Sequence, residues 1–290
     1  MRWRRAANPK WSRESGVVLS YHNVVPDGAE LEIGSPRHVP REAFGAQLDA
    51  LMRTFDVVPL EEIVAGGGQT ARTRPRAAIT FNGCYSGAMT TGLAEVRSRG
   101  LPATVFVAPS MLGGRAFWWD AVDRGDSDSD FEICAVERAN GDGAMVRALA
   151  AHTGLSLHRV PAYARSATED ELHRAAELDG ISIGTHGLSH VDLTRLDPDA
   201  LCRELRHALQ WIERRVSRAV AYLALPYGRS SPLVAAMARQ LGYRAGLLSS
   251  GGCIRDCSKR AAEGWFLMPR VEMQSHASLT TLTPRAVGFF

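Results

Sequence analysis

His186 and His190 stand four residues apart in the stretch GTHGLSHVDLT, directly after a short β-rich run. One helical turn between them would put both imidazoles on the same side, the arrangement that two-histidine metal sites use. A bare His-x-x-x-His also arises where one histidine is a surface residue and the other is packed or caps a helix. A second stretch, AITFNGCYSG over 78–87, carries a buried strand into a turn. Such a strand mouth is a common place for catalytic carboxylates, yet Asn82 and Gly83 supply none. Cys84 beside them offers a thiolate that would complete a metal site with the two histidines. It equally fits a buried, inert thiol. Asp120 and Asp192 are the acids that could stand in as a base.

These residues need elements to hold them. Short β-rich runs recur at 16–22, 55–60, 77–81, 103–108, 180–186, 220–225, 243–248 and 266–273, and helical patterns lie between most of them. The clearest helix is DPDALCRELRHALQWIERRV over 197–216. Asp197 is its N-cap, Pro198 takes the first helical position, and Leu201, Leu205, Leu209, Ile212 and Val216 form an apolar stripe. Residues 41–54, 87–99, 168–178 and 231–241 read similarly. Strands alternating with helices predict β-α-β units and a parallel sheet. Seven or eight such strands point to a barrel. In a parallel barrel the strand C-termini gather at one face, where function gathers too. His22, Asn82, His186, Pro226, Tyr227 and Arg270 are therefore expected around one pocket.

Residues 121–167 break the rhythm with DRGDSDSDFE and a mixed helical stretch, and read as an insertion over the barrel mouth. Asp126, Asp128, Asp130 and Glu137 match positions of a calcium loop, but Phe131 occupies the required glycine position, so a solvated acidic loop is expected. Trp118 and Trp119 either stack on a ligand ring or pack the rim. No internal repeat or low-complexity linker divides the 290 residues, and one domain spanning 1–290 is expected.

Hydrophobic residues make up 45% and charged residues 22%, ordinary for a globular chain. A net charge of +3 without a basic stripe argues against a nucleic-acid partner. No run approaches the ~20 apolar residues of a membrane span, so no membrane partner is expected. The basic N-terminus runs only into GVVL, which does not resemble a secretory signal. Five scattered cysteines fit reduced thiols, and a cytoplasmic location is expected.

Taken in order, the motifs resemble those of the polysaccharide deacetylases, the NodB-homology family also called carbohydrate esterase family 4. TFNGCYSGA is similar to a first motif that usually reads Thr-Phe-Asp-Asp, THGLSH to a second of the form His-Ser/Thr-x-x-His, and LALPYGR to a third ending Pro-Tyr-Gly. MPRVEM resembles the late strand that carries an arginine. LSYHNVVPDG, GLPATVFVAP and FWWD are smaller matches, so the resemblance runs from about residue 17 to 273.

It implies an irregular (β/α)7-type barrel and metal-assisted removal of an N-acetyl group from an amino sugar or a related small amide. A divalent metal, typically zinc, would polarise the acetyl carbonyl. His186 and His190 match the histidine ligands, with Cys84 as a possible third. Pro226 and Tyr227 match the segment lining the sugar pocket, which Tyr85 and Trp119 would also line. Arg270 matches the arginine that holds the catalytic aspartate, and His22 faces the same pocket. His276 lies near where some relatives place a general acid, but QSHASL fits that motif poorly and a surface role is expected. Asn82 stands where the family has its base, and Gly83 where it has its metal-binding aspartate. An amide cannot take a proton near neutral pH, and glycine has no side chain. A catalytically silent binding protein, or a barrel recruited to other chemistry, is the competing expectation.

Overall fold

The architecture is that of a computed structural model, which describes residues 11–29, 35–67, 73–122, 128–264 and 266–275. Its strands are β1 (Gly16–Tyr21), β2 (Asn23–Val25), β3 (His38–Pro40), β4 (Asp56–Val57), β5 (Arg76–Asn82), β6 (Ala103–Val107), β7 (Ile181–Thr185), β8 (Ala219–Ala224), β9 (Ala245–Gly251) and β10 (Leu267–Glu272). Every ladder is parallel, in the order β1-β10-β9-β8-β7-β6-β5-β4, and β1 also pairs with β5. That last pairing, Gly16 opposite Arg76 through Tyr21 opposite Phe81, closes a seven-strand barrel. The expected (β/α)7 barrel is the fold observed. β1 and β5 are buried along their whole length, as strands covered on both faces must be.

The helices on and around this ring are α1 (Arg41–Thr54), α2 (Leu60–Val64), α3 (Leu93–Ser98), α4 (Trp118–Ala121), α5 (Asp128–Ala139), α6 (Gly143–His152), α7 (Glu169–Ala176), α8 (Pro198–Arg215), α9 (Pro232–Gln240) and α10 (Cys257–Ala262). In α8 the Asp197 carboxylate accepts from the Ala200 amide, and Leu201, Leu205, Leu209 and Ile212 are buried. The cap and stripe expected from the sequence both form. Burying each such aliphatic side chain contributes about 1.5–3 kcal/mol.

Two elements differ from expectation. The run at 55–60 pairs only over Asp56–Val57, beside the first residues of β5, and Leu60 already begins α2. Pro59 has no amide proton for a ladder, and its fixed φ suits the entry to a helix. Residues 88–92, just after β5, are π-helical before α3 begins. Such widened turns appear frequently at functional sites.

The two-residue period of the strands sorts the barrel interior into layers. Val18, Ala78 and Met268 share one apolar cluster with Phe106, Ala224 and Leu247. Two residues on, Ser20, Thr80 and Arg270 form a buried polar layer. Two residues further, His22, Asn82 and Glu272 stand at the mouth, with Ser20 opposite Thr80 in one ladder and opposite Glu272 in the other.

Over that mouth lies α5. Its Glu132 accepts from Arg37 at 2.8 Å, Arg195 donates to the Glu137 carbonyl at 2.7 Å, and Asp192 N donates to Asn140 O at 3.2 Å. Asp126 lies outside the described residues. Asp128 and Asp130 open a helix rather than a calcium loop, and Phe131 packs edge-on against Trp118. No helix among the described residues is long and apolar enough to cross a membrane.

Candidate active-site cavity

A cavity of about 270 Å³ opens at the C-terminal ends of the strands. It is lined by His22, Asn82 and Gly83 from β1 and β5, His186 and His190 after β7, Tyr227 after β8, Ser249 and Glu272 from β9 and β10, and by Trp119, Arg37 and Glu132. Four of the six residues expected to converge do so, and a fifth, Pro226, is buried behind the wall. The sixth, Arg270, sits one layer deeper behind Asn82.

The two histidines meet without the helical turn the spacing suggested. β7 ends at Thr185, and residues 186–190 form a loop in which Gly187 (φ +72°) and His190 (φ +62°) take left-handed conformations. Glu204, buried on α8, holds that loop. Its carboxylate accepts from Leu188 N at 2.9 Å, Ser189 N at 2.7 Å and the Ser189 hydroxyl at 3.0 Å. The result is a pair of perpendicular rings, 4.5 Å between centroids. Sequence reading passed over Glu204, although an acid on the buried side of α8, between Leu201 and Leu205, was the signal for it. Glu204→Ala strips a charged acceptor from two half-buried amides and should cost about 1–3 kcal/mol. The expected result is a lower denaturation midpoint and loss of the fixed His186–His190 geometry by NMR, and an unchanged midpoint would count against the loop-holding role.

The His186 Nδ1 lies 2.9 Å from the Ala224 carbonyl. A carbonyl only accepts, so Nδ1 carries the proton and Nε2 keeps its lone pair. His190 Nδ1 and His22 Nδ1 are buried with no hydrogen-bond partner among the described residues. His190 also packs against Trp119 at 4.8 Å and Tyr227 at 5.0 Å.

Burial drives all three imidazoles toward the neutral form. It lowers His190 to about 4 and takes His22 and His186 well below the usual 6.5. Arg37 and Arg270 reinforce the effect at His22, and His190 reinforces it at His186. The unfolded chain binds protons at these sites from about pH 6.5 downward, while the folded chain does not. Stability should therefore be lost as pH falls from 6.5 toward 4, His190 alone costing about 3 kcal/mol at the lower end. Urea midpoints between pH 7.5 and 4.5 check this, and a flat profile would contradict it.

At the first-motif turn, Arg270 is buried and donates Nη1 to Asn82 Oδ1 at 2.9 Å and to Thr80 Oγ1 at 3.3 Å. Its Nε donates to the Leu248 carbonyl, and Nη2 has no hydrogen-bond partner among the described residues. No carboxylate forms a hydrogen bond with this guanidinium among the described residues, and burial lowers its pKa to about 9. The Asn82 amide is turned with its oxygen to Arg270 and its nitrogen to Ser20 Oγ at 3.3 Å.

Several candidates from the sequence lie elsewhere. Cys84 is buried in the hydrophobic core, does not line the cavity, and burial raises its thiol pKa, so it does not join the histidines. Tyr85 and Pro226 are buried behind the cavity wall. The Tyr85 hydroxyl donates to Asp120 Oδ2 at 2.6 Å and accepts from Trp119 Nε1 at 2.6 Å, so it positions Trp119 rather than facing a ligand. Asp120 is also held by His38 Nε2 at 3.0 Å. Asp192 accepts from Thr194 and from Arg229 at 2.9 Å. Neither buried acid is free to serve as a base. Trp118 is fully buried in the core, while Trp119 lines the cavity. His276 lies outside the described residues.

For the divalent metal that the resemblance implies, the fit fails. Two imidazoles are present, but among the described residues no three histidine, cysteine, aspartate or glutamate side chains group to hold an ion. The Asn82 oxygen is committed to Arg270, whose buried guanidinium adds positive charge where a dication would need negative charge.

Solved structures share this fold. A Streptococcus pyogenes deacetylase, PplD, in complex with acetate is similar at a TM-score of 0.63 and 16% identity, covering 94% of this chain and 98% of that one. A de-N-acetylase from Aggregatibacter actinomycetemcomitans gives 0.64 and 13% over 92% and 98%. IcaB from Ammonifex degensii gives 0.61 and 14% over 96% and 97%. No curated protein matches the sequence. The polysaccharide deacetylase family matches residues 69–246, most of the chain and all of the first three motifs, and this chain belongs to that family.

Proposed function

We propose that the cavity binds an N-acetylated amino sugar or a related acetylated small molecule, and that the family's metal-assisted N-deacetylation is lost or greatly slowed in this chain. The observation that carries this reading is the Arg270–Asn82 hydrogen bond. An arginine still holds the residue at the base position, but that residue is an amide with its oxygen already engaged. The neighbouring metal-ligand position is Gly83, which offers nothing.

What remains suits recognition. Trp119 is fixed by Tyr85 through its indole N–H and backed by Phe117, stacked at 4.9 Å and 8° between planes. With Tyr227 and the two neutral imidazoles it forms an aromatic wall with polar edges, the kind of surface that holds a sugar ring. Calorimetric titration tests this with N-acetylated chitotetraose against the same oligomer fully deacetylated. The acetylated ligand should bind at least about 10-fold more tightly, and Trp119→Ala should lose about 10-fold of that affinity, on the order of 1.4 kcal/mol. Equal affinity for both oligomers, or binding untouched by Trp119→Ala, would sink the reading. His22 and Glu272 favour a second reading, in which some hydrolysis survives.

A further inference from the structure

We propose that His22 and Glu272 form a metal-independent general-base pair in this cavity, acting on the O-acetyl esters of a sugar rather than on its acetamide. The proposal rests on the reading that the cavity receives an acetylated sugar. Both residues line it, and the register that sets Ser20 opposite Glu272 carries them to the same rim. His22 Nδ1 is buried, has no hydrogen-bond partner among the described residues, and lies 3.8 Å from Glu272 Oε1. Among the described residues no hydrogen bond engages the Glu272 carboxylate, whose side chain is 38% exposed. The other acids nearby are engaged: Asp120 by His38 and Tyr85, Asp192 by Thr194 and Arg229, Glu132 by Arg37.

The groups that act on His22 electrostatically are Arg37, Arg270, His190 and His38, with Glu272 the anion beside it. Burial and those groups lower the proton affinity of the imidazole, and the Glu272 carboxylate is the anion placed to offset them. Glu272 would hold Nδ1–H, orienting the ring and stabilising the imidazolium, the role a buried acid plays toward histidine in hydrolytic triads. Nε2 is then free to take a proton from water. The water oxygen attacks the acetyl carbon, and the carbonyl π pair moves onto oxygen. Collapse breaks the acyl C–O bond, and the proton on His22 passes to the departing sugar oxygen, leaving a sugar hydroxyl and acetic acid, which ionises to acetate in solvent. No oxidant, reductant or metal enters the balance. An ester carbonyl is more electrophilic than an amide, and its alcohol leaves with less proton assistance. A base pair without a Lewis acid therefore reaches the ester and not the acetamide.

The test is hydrolysis of 4-nitrophenyl acetate in excess chelator by wild type, His22→Gln, Glu272→Gln, Glu272→Asp and the double Gln variant, with melting temperatures in parallel. Wild type should be active with chelator present, and His22→Gln should lose about 100-fold. Glu272→Gln, a positioning change, should lower kcat about 10-fold with KM unchanged, Glu272→Asp less, and the double variant should match His22→Gln within about twofold. An inactive or chelator-sensitive wild type, an effect of Glu272→Gln on KM alone, or losses that multiply in the double variant would each overturn the pair. Failure of chitotetraose to bind would instead sink the sugar-binding reading, since the small ester does not depend on that wall.

Discussion

Wild-type protein is expected to release acetate from N-acetylglucosamine oligomers at least about 10⁴-fold more slowly than a family member carrying both first-motif aspartates. General-base assistance contributes about 10²–10⁴ in rate, and a metal's Lewis acidity adds several kcal/mol. Asn82 and Gly83 remove the two contributions together. The restoring experiment is Asn82→Asp with Gly83→Asp. Gly83 sits at φ +82°, a left-handed conformation that costs an L residue about 1–2 kcal/mol, although aspartate is among those that visit it. A Cβ there meets only the Tyr85 ring at 3.4 Å, an ordinary contact, so the double variant should fold. It should bind zinc stoichiometrically and gain acetate release, whereas Asn82→Asp alone should gain little because the third ligand is still missing. Brisk wild-type deacetylation of these oligomers would show that the chain reaches amide hydrolysis by another route.

Asn82→Asp alone should nevertheless have a large effect on stability. Arg270 is a buried cation whose hydrogen-bonded partners among the described residues are all neutral, with Nη2 left over. Removing one partner of a buried ion pair typically costs 3–5 kcal/mol, chiefly through the charge left behind. This chain already carries that cost. An aspartate at 82 would place its carboxylate where the amide oxygen already lies, 2.9 Å from Nη1. A gain of about 3 kcal/mol is expected, which for a chain of this size is roughly 6–10 °C in melting temperature. The raised stability should persist at high salt, because a buried pair is little screened. An unchanged or lower melting temperature would mean that Arg270 is neutral or otherwise compensated in the folded protein.

Much of the fold was legible because it rests on periodicity. The stripe of α8 and its Asp197–Pro198 start follow from local chemistry. The alternation of strand and helix leaves few alternatives to a parallel barrel, and the two-residue period already places His22, Asn82 and Glu272 on the inward face of their strands. The run at 55–60 misled because apolar composition alone does not distinguish a ring strand from a short outer strand followed by a helix.

At the site, the residue types at strand ends were visible in the chain itself: two histidines four apart, an amide and a glycine in place of two acids, and an arginine on the last strand. Their partners were not. Cys84 stands next to Gly83 in sequence, yet its own φ of +53° lies in a left-handed turn and its thiol is buried in the core, away from the histidines. Glu204 meets the histidine loop from 15 residues away, Tyr85 reaches Trp119 across 34, and Arg270 reaches Asn82 across 188. A strand or helix period decides which face a side chain takes, since that is set by the backbone within a few residues. Which acid is spent on a neighbour and which stays free is decided only when distant segments pack. For that reason Asp120 and Asp192, the acids the sequence offered as a base, turned out to be committed, and Glu272 did not.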